Sequence, residues 1–288
     1  MDFNLGKNRF TTMVDGDERE YYVHVPQTYQ NDQSVPVVFM LHGSSGNGLK
    51  FYNISGWKEV GETENIITVF PSSWKYCIID DGKVKNTTKW HAFPGSFEFC
   101  NNETPRDDVK FLRQIIKELN QRFNIDNQRI YLVGFSNGGG MAYRAAVEMS
   151  DVLAAVVESA GMYLGDTQYT PIRNIPITFQ LGNIDRKWFD EGVIVPLSQL
   201  DDLLQHSTLF QLMASNHTDA FDYASQYSLE GDTLKVMTAT FKGVPDNGSR
   251  EFRFSLIHGL GHNYPNGKNH PLEGAVLNWE WLKQYSLP

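Results

Sequence analysis

The chain is poor in several things that would place it quickly. Its 288 residues hold two cysteines, Cys77 and Cys100, far from any zinc-like spacing. No apolar run approaches the ~18 residues that a membrane-spanning helix needs. Lysine and arginine form no cluster, and the formal charge of −9 makes nucleic acid or an anionic membrane a poor partner. Neither a G-x-x-x-x-G-K-[ST] loop nor a G-x-G-x-x-G after the first strand is present, which argues against a phosphate cradle. No Pro/Ser-rich linker, repeat or low-complexity block marks a boundary, so one domain over residues 1–288 is expected.

Compartment is less defined. The first residues, MDFNLGKNRF, lack the basic start and apolar stretch of a signal peptide. Sequons at Asn53, Asn86, Asn102, Asn216 and Asn247 are permissive of secretion. Secretion with the leader outside this chain is the expectation, and a cytoplasmic location the alternative. Cys77 and Cys100 are read either as a disulfide, which requires an oxidising compartment, or as two separate thiols.

What is present is a run of strand-length apolar segments. RFTTMV and EYYVHV alternate around DGDE, the pattern of an antiparallel hairpin. PVVFML (36–41), IITVF (66–70), RIYLVGF (129–135), LAAVVES (153–159) and PITFQL (176–181) are continuously hydrophobic, as strands buried on both faces should be. Helical patterns separate them: residues 107–123, with Val109, Leu112, Ile115, Ile116 and Leu119 on one stripe; 139–149; and 197–213. After TLKVMTATF and EFRFSLIH a last helix covers 273–285. Strand–helix alternation predicts an α/β fold with a mostly parallel central sheet flanked by helices and an N-terminal antiparallel hairpin.

The stretch YLVGFSNGGG places Gly134-Phe135-Ser136-Asn137-Gly138, a G-x-S-x-G, between a buried strand and a helix. In that setting the pattern reads as a nucleophile elbow, whose neighbours at minus two and plus two must be tiny. Gly139 and Gly140 each cost roughly 1 kcal/mol against alanine inside a helix. They imply tight packing against the first turn.

A serine nucleophile needs a base and an acid, in the order Ser, Asp/Glu, His on this fold. His262, in a Gly-rich loop directly after EFRFSLI, is the candidate base, with His258 its nearest rival and His206 placed mid-helix. The pair His258/His262 has two glycines between and no Glu after His258, so no metal is expected. Asp185, just past PITFQL, is the candidate acid; Asp166, Asp190 and Asp201 are alternatives. Oxyanion donors are expected from the N–H of Asn137 and from Ser44, in the loop His42-Gly43-Ser44-Ser45-Gly46.

With PVVFMLHGSSGNG, WHAF, IYLVGFSNGGGMAYRAA, PITFQLGNID and GLGHNYPNG in place, the chain resembles the polyhydroxybutyrate depolymerase-like and feruloyl esterase group of α/β-hydrolases over most of its length. The resemblance implies an α/β-hydrolase fold, a cofactor-free serine esterase, and a triad at Ser136, Asp185 and His262. It sets the Trp90 segment beside the active site. Tyr264 stands where the group usually has Trp. The implied substrates are bulky esters: feruloylated or acetylated plant polysaccharide first, with polyhydroxyalkanoate and aryl esters as alternatives. A catalytically silent binding protein of the same fold is the rival from another class. Phe135, Trp90, Trp188 and Tyr264 are expected to wall the substrate cleft. Oligomeric state is left open.

Overall fold

The structure, a computed structural model, describes residues 3–80, 82–162, 170–244 and 250–288. In chain order the strands are β1 (Gly6–Val14), β2 (Asp17–Val25), β3 (Val35–Leu41), β4 (Ile67–Pro71), β5 (Trp74–Asp80), β6 (Lys83–Lys89) and β7 (Glu98–Phe99). They continue with β8 (Ile125–Phe135), β9 (Ala155–Ser159), β10 (Ile177–Gly182), β11 (Tyr223–Asp232), β12 (Val236–Gly243) and β13 (Glu251–Ile257). The helices are α1 (Gly48–Ile54), α2 (Trp57–Glu64), α3 (Asp108–Arg122), α4 (Asn137–Glu148), α5 (Leu200–His206), α6 (Thr208–Ala220) and α7 (Gly274–Leu282).

Ten strands form one sheet in the order β1-β2-β4-β3-β8-β9-β10-β13-β12-β11. The six central strands, β4 through β13, run parallel, and antiparallel pairs finish both edges. This is the α/β-hydrolase architecture expected from the sequence, hairpin included. β1 and β2 turn over Asp15 and Gly16, both at positive φ, as a two-residue hairpin loop requires.

Every residue of β3, β4, β9 and β10 is buried. The two-residue strand period divides β3 between the faces. Val37, Phe39 and Leu41 pack with α3, α4, α5 and α6, while Val38 and Met40 pack with α1, α2 and α7. The continuous apolar runs therefore mark strands sandwiched between two helical layers.

Two regions differ from expectation. The single helix over 197–213 is a 3₁₀ turn (Leu197–Gln199), then α5, then α6, with Ser207 extended between the two α-helices. Ser207 and Thr208 are weak helix formers that favour a new N-terminus. Strands β5, β6 and β7 form a separate three-stranded sheet, ordered β6-β5-β7. Only Tyr76 and Ile78 of β5 are buried, and β6 buries nothing, so no apolar pattern marked it.

Cys77 and Cys100, read both ways from the sequence, are joined by a disulfide, so β5 is tied to the residue after β7. The same sheet reaches the loop after β3. The Ser45 N–H donates to Thr88 O (2.9 Å), and Thr88 Oγ1 donates to Gly46 O (2.6 Å).

With 23 residues of separation between the cysteines, the chain-entropy relation assigns the cross-link about 3 kcal/mol. A Cys77→Ser/Cys100→Ser variant is expected to lose stability of that order in urea denaturation. An unchanged midpoint would show that the small sheet holds without its cross-link.

Candidate active site

Ser136 sits between β8 and α4 with φ 54° and ψ −123°, a conformation L-residues rarely adopt. Such strain costs on the order of 1–3 kcal/mol and persists only where surroundings impose it. Here the Ser136 N–H donates to Ser159 O (2.8 Å), and its carbonyl accepts from Gly139 and Gly140. The flanking glycines are required by close approach. A Cβ on Gly138 would lie 2.5 Å from His42 O and 2.7 Å from Leu41 O, and one on Gly134 would overlap the Gly138 carbonyl. The strand, the helix start and the neighbouring strand end meet backbone to backbone.

The Ser136 side chain does not cap its own helix. Its Oγ lies 2.8 Å from His262 Nε2, and His262 Nδ1 lies 2.8 Å from Asp185 Oδ2. An ionised carboxylate only accepts, so Nδ1 carries the proton and Nε2 is left to accept from the serine hydroxyl. Asp185 is fully buried, and its other oxygen accepts from the Lys187 N–H (2.9 Å). His262 is part-exposed beneath the Phe135 ring, 5.2 Å between centroids.

The acid and base loops leave the C-terminal ends of the paired strands β10 and β13. Asn183, absent from the sequence reading, fastens them. Its buried amide donates to Val195 O (2.8 Å) and accepts from the Gly259 N–H (2.7 Å). A Cβ on Gly182 would overlap Leu260 O, which also accepts from Ile184 N–H. The motif Q-L-G-N-I-D carries this signal only once the partner loop is known.

The loop after β3 brings Ser44 into the same cleft. Among the described residues, no acceptor is found for the N–H of Ser44 or Asn137. Two free amides, one at the start of α4, suit a developing negative oxygen. The loop is held from behind by His42, which is fully buried. Its Nε2 accepts from Ser73 N–H (3.0 Å), so Nδ1–H donates to Gly43 O (2.7 Å). Burial pushes His42 down to about 4 from an ordinary 6.5, which keeps this neutral tautomer.

Of the aromatics expected to wall the cleft, Phe135 does so. Trp90 does not: it is fully buried, its Nε1–H donating to His42 O (2.8 Å), while its backbone exchanges two bonds with the Asn137 amide. It braces the two loops from below. Tyr264 is also buried, its hydroxyl accepting from Trp57 Nε1 (2.9 Å) and Asn278 Nδ2 (3.0 Å). Trp188 is half-buried, its ring against Phe179 and Phe210 and away from the residues that line the cleft. Each has its polar atom or ring face claimed by the interior, so none walls the cleft.

His258 and His206 are exposed, and His206 Nδ1 bonds Asp202 O; Asp190 is exposed, and Asp201 accepts from Tyr227. Asp166 and Asn247 lie outside the described residues. The cleft itself encloses about 660 Å³. A second cleft of about 410 Å³, between α2 and α7, contains neither a histidine nor the Ser136 hydroxyl.

A family model described as "Alpha/beta hydrolase of unknown function (DUF915)" matches residues 24–154. Feruloyl esterase B of Piromyces equi is 25% identical over 94% of this chain, and poly(3-hydroxyalkanoate) depolymerase C of Paucimonas lemoignei is 25% identical over 49%. This chain covers 46% of the first and 31% of the second, so both relatives are far longer than the matching region. The solved structure of acetyl xylan esterase from Aspergillus awamori shares the fold, with a TM-score of 0.59 at 14% identity, covering 96% of this chain and 99% of that one.

The His42 tautomer makes stability depend on pH. Between about pH 4 and 6.5 the unfolded chain binds a proton that the folded imidazole refuses. The stability contributed by neutral His42 is therefore complete above 6.5 and is lost as pH falls toward 4, up to about 3 kcal/mol. Urea denaturation at about pH 7 and pH 5 should show this loss, and His42→Gln should flatten the slope. Equal slopes in the two proteins would refute the assignment.

Proposed function

We propose that this chain, an α/β-hydrolase, is a serine carboxylic-ester hydrolase that works through an acyl-enzyme. The observation that carries the reading is the unbroken line from Ser136 Oγ through His262 to buried Asp185, 2.8 Å at each link. Ser136 Oγ attacks the ester carbonyl carbon while His262 Nε2 takes the hydroxyl proton. Asp185 stabilises the imidazolium without accepting the proton itself. The carbonyl oxygen, now negative, faces the Ser44 and Asn137 amides. Collapse expels the alcohol, protonated by His262, and leaves the acyl group on Ser136. Water then attacks with His262 as base, and the acid departs.

No step calls for a metal or organic cofactor, so activity should survive EDTA. The substrate class we favour is a feruloylated or acetylated plant polysaccharide, in keeping with the names of the relatives and the sequence resemblance. A polyhydroxyalkanoate or aryl ester is the second reading, favoured by the depolymerase relative. A silent binding protein would have little use for a strained serine aligned with an imidazole. The disulfide supports secretion, since such bonds persist in oxidising compartments. Among the described residues, no helix is long and apolar enough to cross a membrane.

A fluorophosphonate should label wild type and not Ser136→Ala. Ser136→Ala and His262→Ala should each lose roughly 10⁴- to 10⁶-fold in kcat on 4-nitrophenyl acetate, and Asp185→Asn about 10⁴-fold. Full activity in any of the three would overturn the mechanism. Methyl ferulate, acetylated xylan and hydroxybutyrate oligomers, compared by kcat/KM, separate the substrate readings.

A further inference from the structure

We infer that the cleft selects esters bearing a carboxylate close to the scissile bond, an inference that rests on the hydrolase reading above. The whole chain carries a formal charge of −9, yet among the described residues the cleft holding Ser136 and His262 is lined by three lysines, Lys85, Lys89 and Lys187, against one acid, Asp80. Lys85 is satisfied by Asp80, 2.8 Å away. Among the described residues, neither the Lys89 nor the Lys187 ammonium has a carboxylate within ion-pair distance. The two come from different elements, Lys89 ending β6 and Lys187 following Asp185 by two residues, so the cluster is made by the fold and not by a run of sequence.

Gathering these ammoniums is unfavourable for the empty protein. Lys89 is half-buried over the Phe97 ring, 5.2 Å from its centroid. Loss of solvent pushes its ammonium down from the ordinary lysine range; the negative Asp80 opposes this in part, and the positive Lys187 and Lys85 add to it. A carboxylate entering the cleft relieves that repulsion and replaces the missing solvation. Lysine is a point charge with three rotatable donors, suited to a group whose position varies from substrate to substrate. The small sheet that carries Lys89 is hydrogen-bonded to the Ser44–Gly46 loop, which ties the charged rim to the proposed oxyanion site.

The test compares 4-acetoxybenzoate with its neutral isostere 4-acetoxybenzamide. Wild type should favour the anion by about tenfold in kcat/KM at low salt, and the preference should shrink toward unity in about 1 M salt. The Lys89→Gln/Lys187→Gln double variant should lose the preference, and Lys89→Arg/Lys187→Arg should retain it. Exposed Lys110→Gln serves as a control for overall charge. Circular dichroism and fluorophosphonate labelling report whether each variant is folded with a competent serine. Acetylated polygalacturonate against acetylated xylan, and hydroxybutyrate trimer against its terminal amide, distinguish a uronate from the free acid end of an oligomer. Equal turnover of anion and isostere by wild type, or an unchanged preference in the double Gln variant, overturns the charge selection and leaves the hydrolase reading standing. Turnover of neither, with no labelling of Ser136, overturns the hydrolase reading and this inference with it.

Discussion

The approach of Gly138 to the carbonyls of Leu41 and His42 is the contact on which the site depends. With a side chain at 138 the helix start would have to retreat from the end of β3. Ser136 would then lose the crowding that imposes its positive φ, and Ser44 would separate from Asn137. The strain at Ser136 is offset by bonds on every side: Ser159 below it, Gly139 and Gly140 on its carbonyl, and the Asn137 amide locked to the Trp90 backbone. Trp90 Nε1 then closes the circuit by donating to His42 O. A substitution in this group acts on the proposed chemistry through backbone position, even where no side chain touches a substrate.

The other half of the site is set by strand pairing. β10 and β13 run parallel in register, Gly182 opposite Ile257, so the loops that follow them emerge together at the same edge. Asp185 and His262 meet because one lies three residues past the end of its strand and the other five. Asn183, bonded to both loops, fixes their spacing. The acid–base distance is thus inherited from the sheet.

How much of this was legible follows from how local each signal is. The buried strands and the elbow are written in contiguous residues, and those strands stand where they were expected, whereas α1, α2 and β11 were not read from the sequence and the helix over 197–213 is broken in two. The facing of an aromatic is not local. Tyr264 has its hydroxyl bound by Trp57, 207 positions away, and Trp90 is held by His42 and Asn137. A ring next to a motif reads the same whether it turns to solvent or to the core, and three of four turned inward. The small sheet was missed for the opposite reason: β6, KVKNTTK, buries nothing and shows no apolar period. Its disulfide could be entertained from two cysteines, but the pairing needed the strands to place them.

A second histidine–carboxylate pair shows why proximity alone does not make a site. His217 Nε2 lies 3.1 Å from Glu158 Oε1, and both side chains are buried. Glu158 sits on β9 directly opposite Gly134, one strand from the proposed nucleophile. Yet His217 has no free nitrogen: Nδ1 bonds Met213 O at 2.6 Å, and the ring is stacked on Phe252 with Tyr143 at its edge. Burial pushes the Glu158 carboxyl up, toward the neutral acid that can donate to the imidazole. Such a pair fastens α6 to the sheet. Asp185 and His262 differ in one respect that matters. Their line ends on a hydroxyl at a cleft, which is what the proposed proton transfer to a substrate requires.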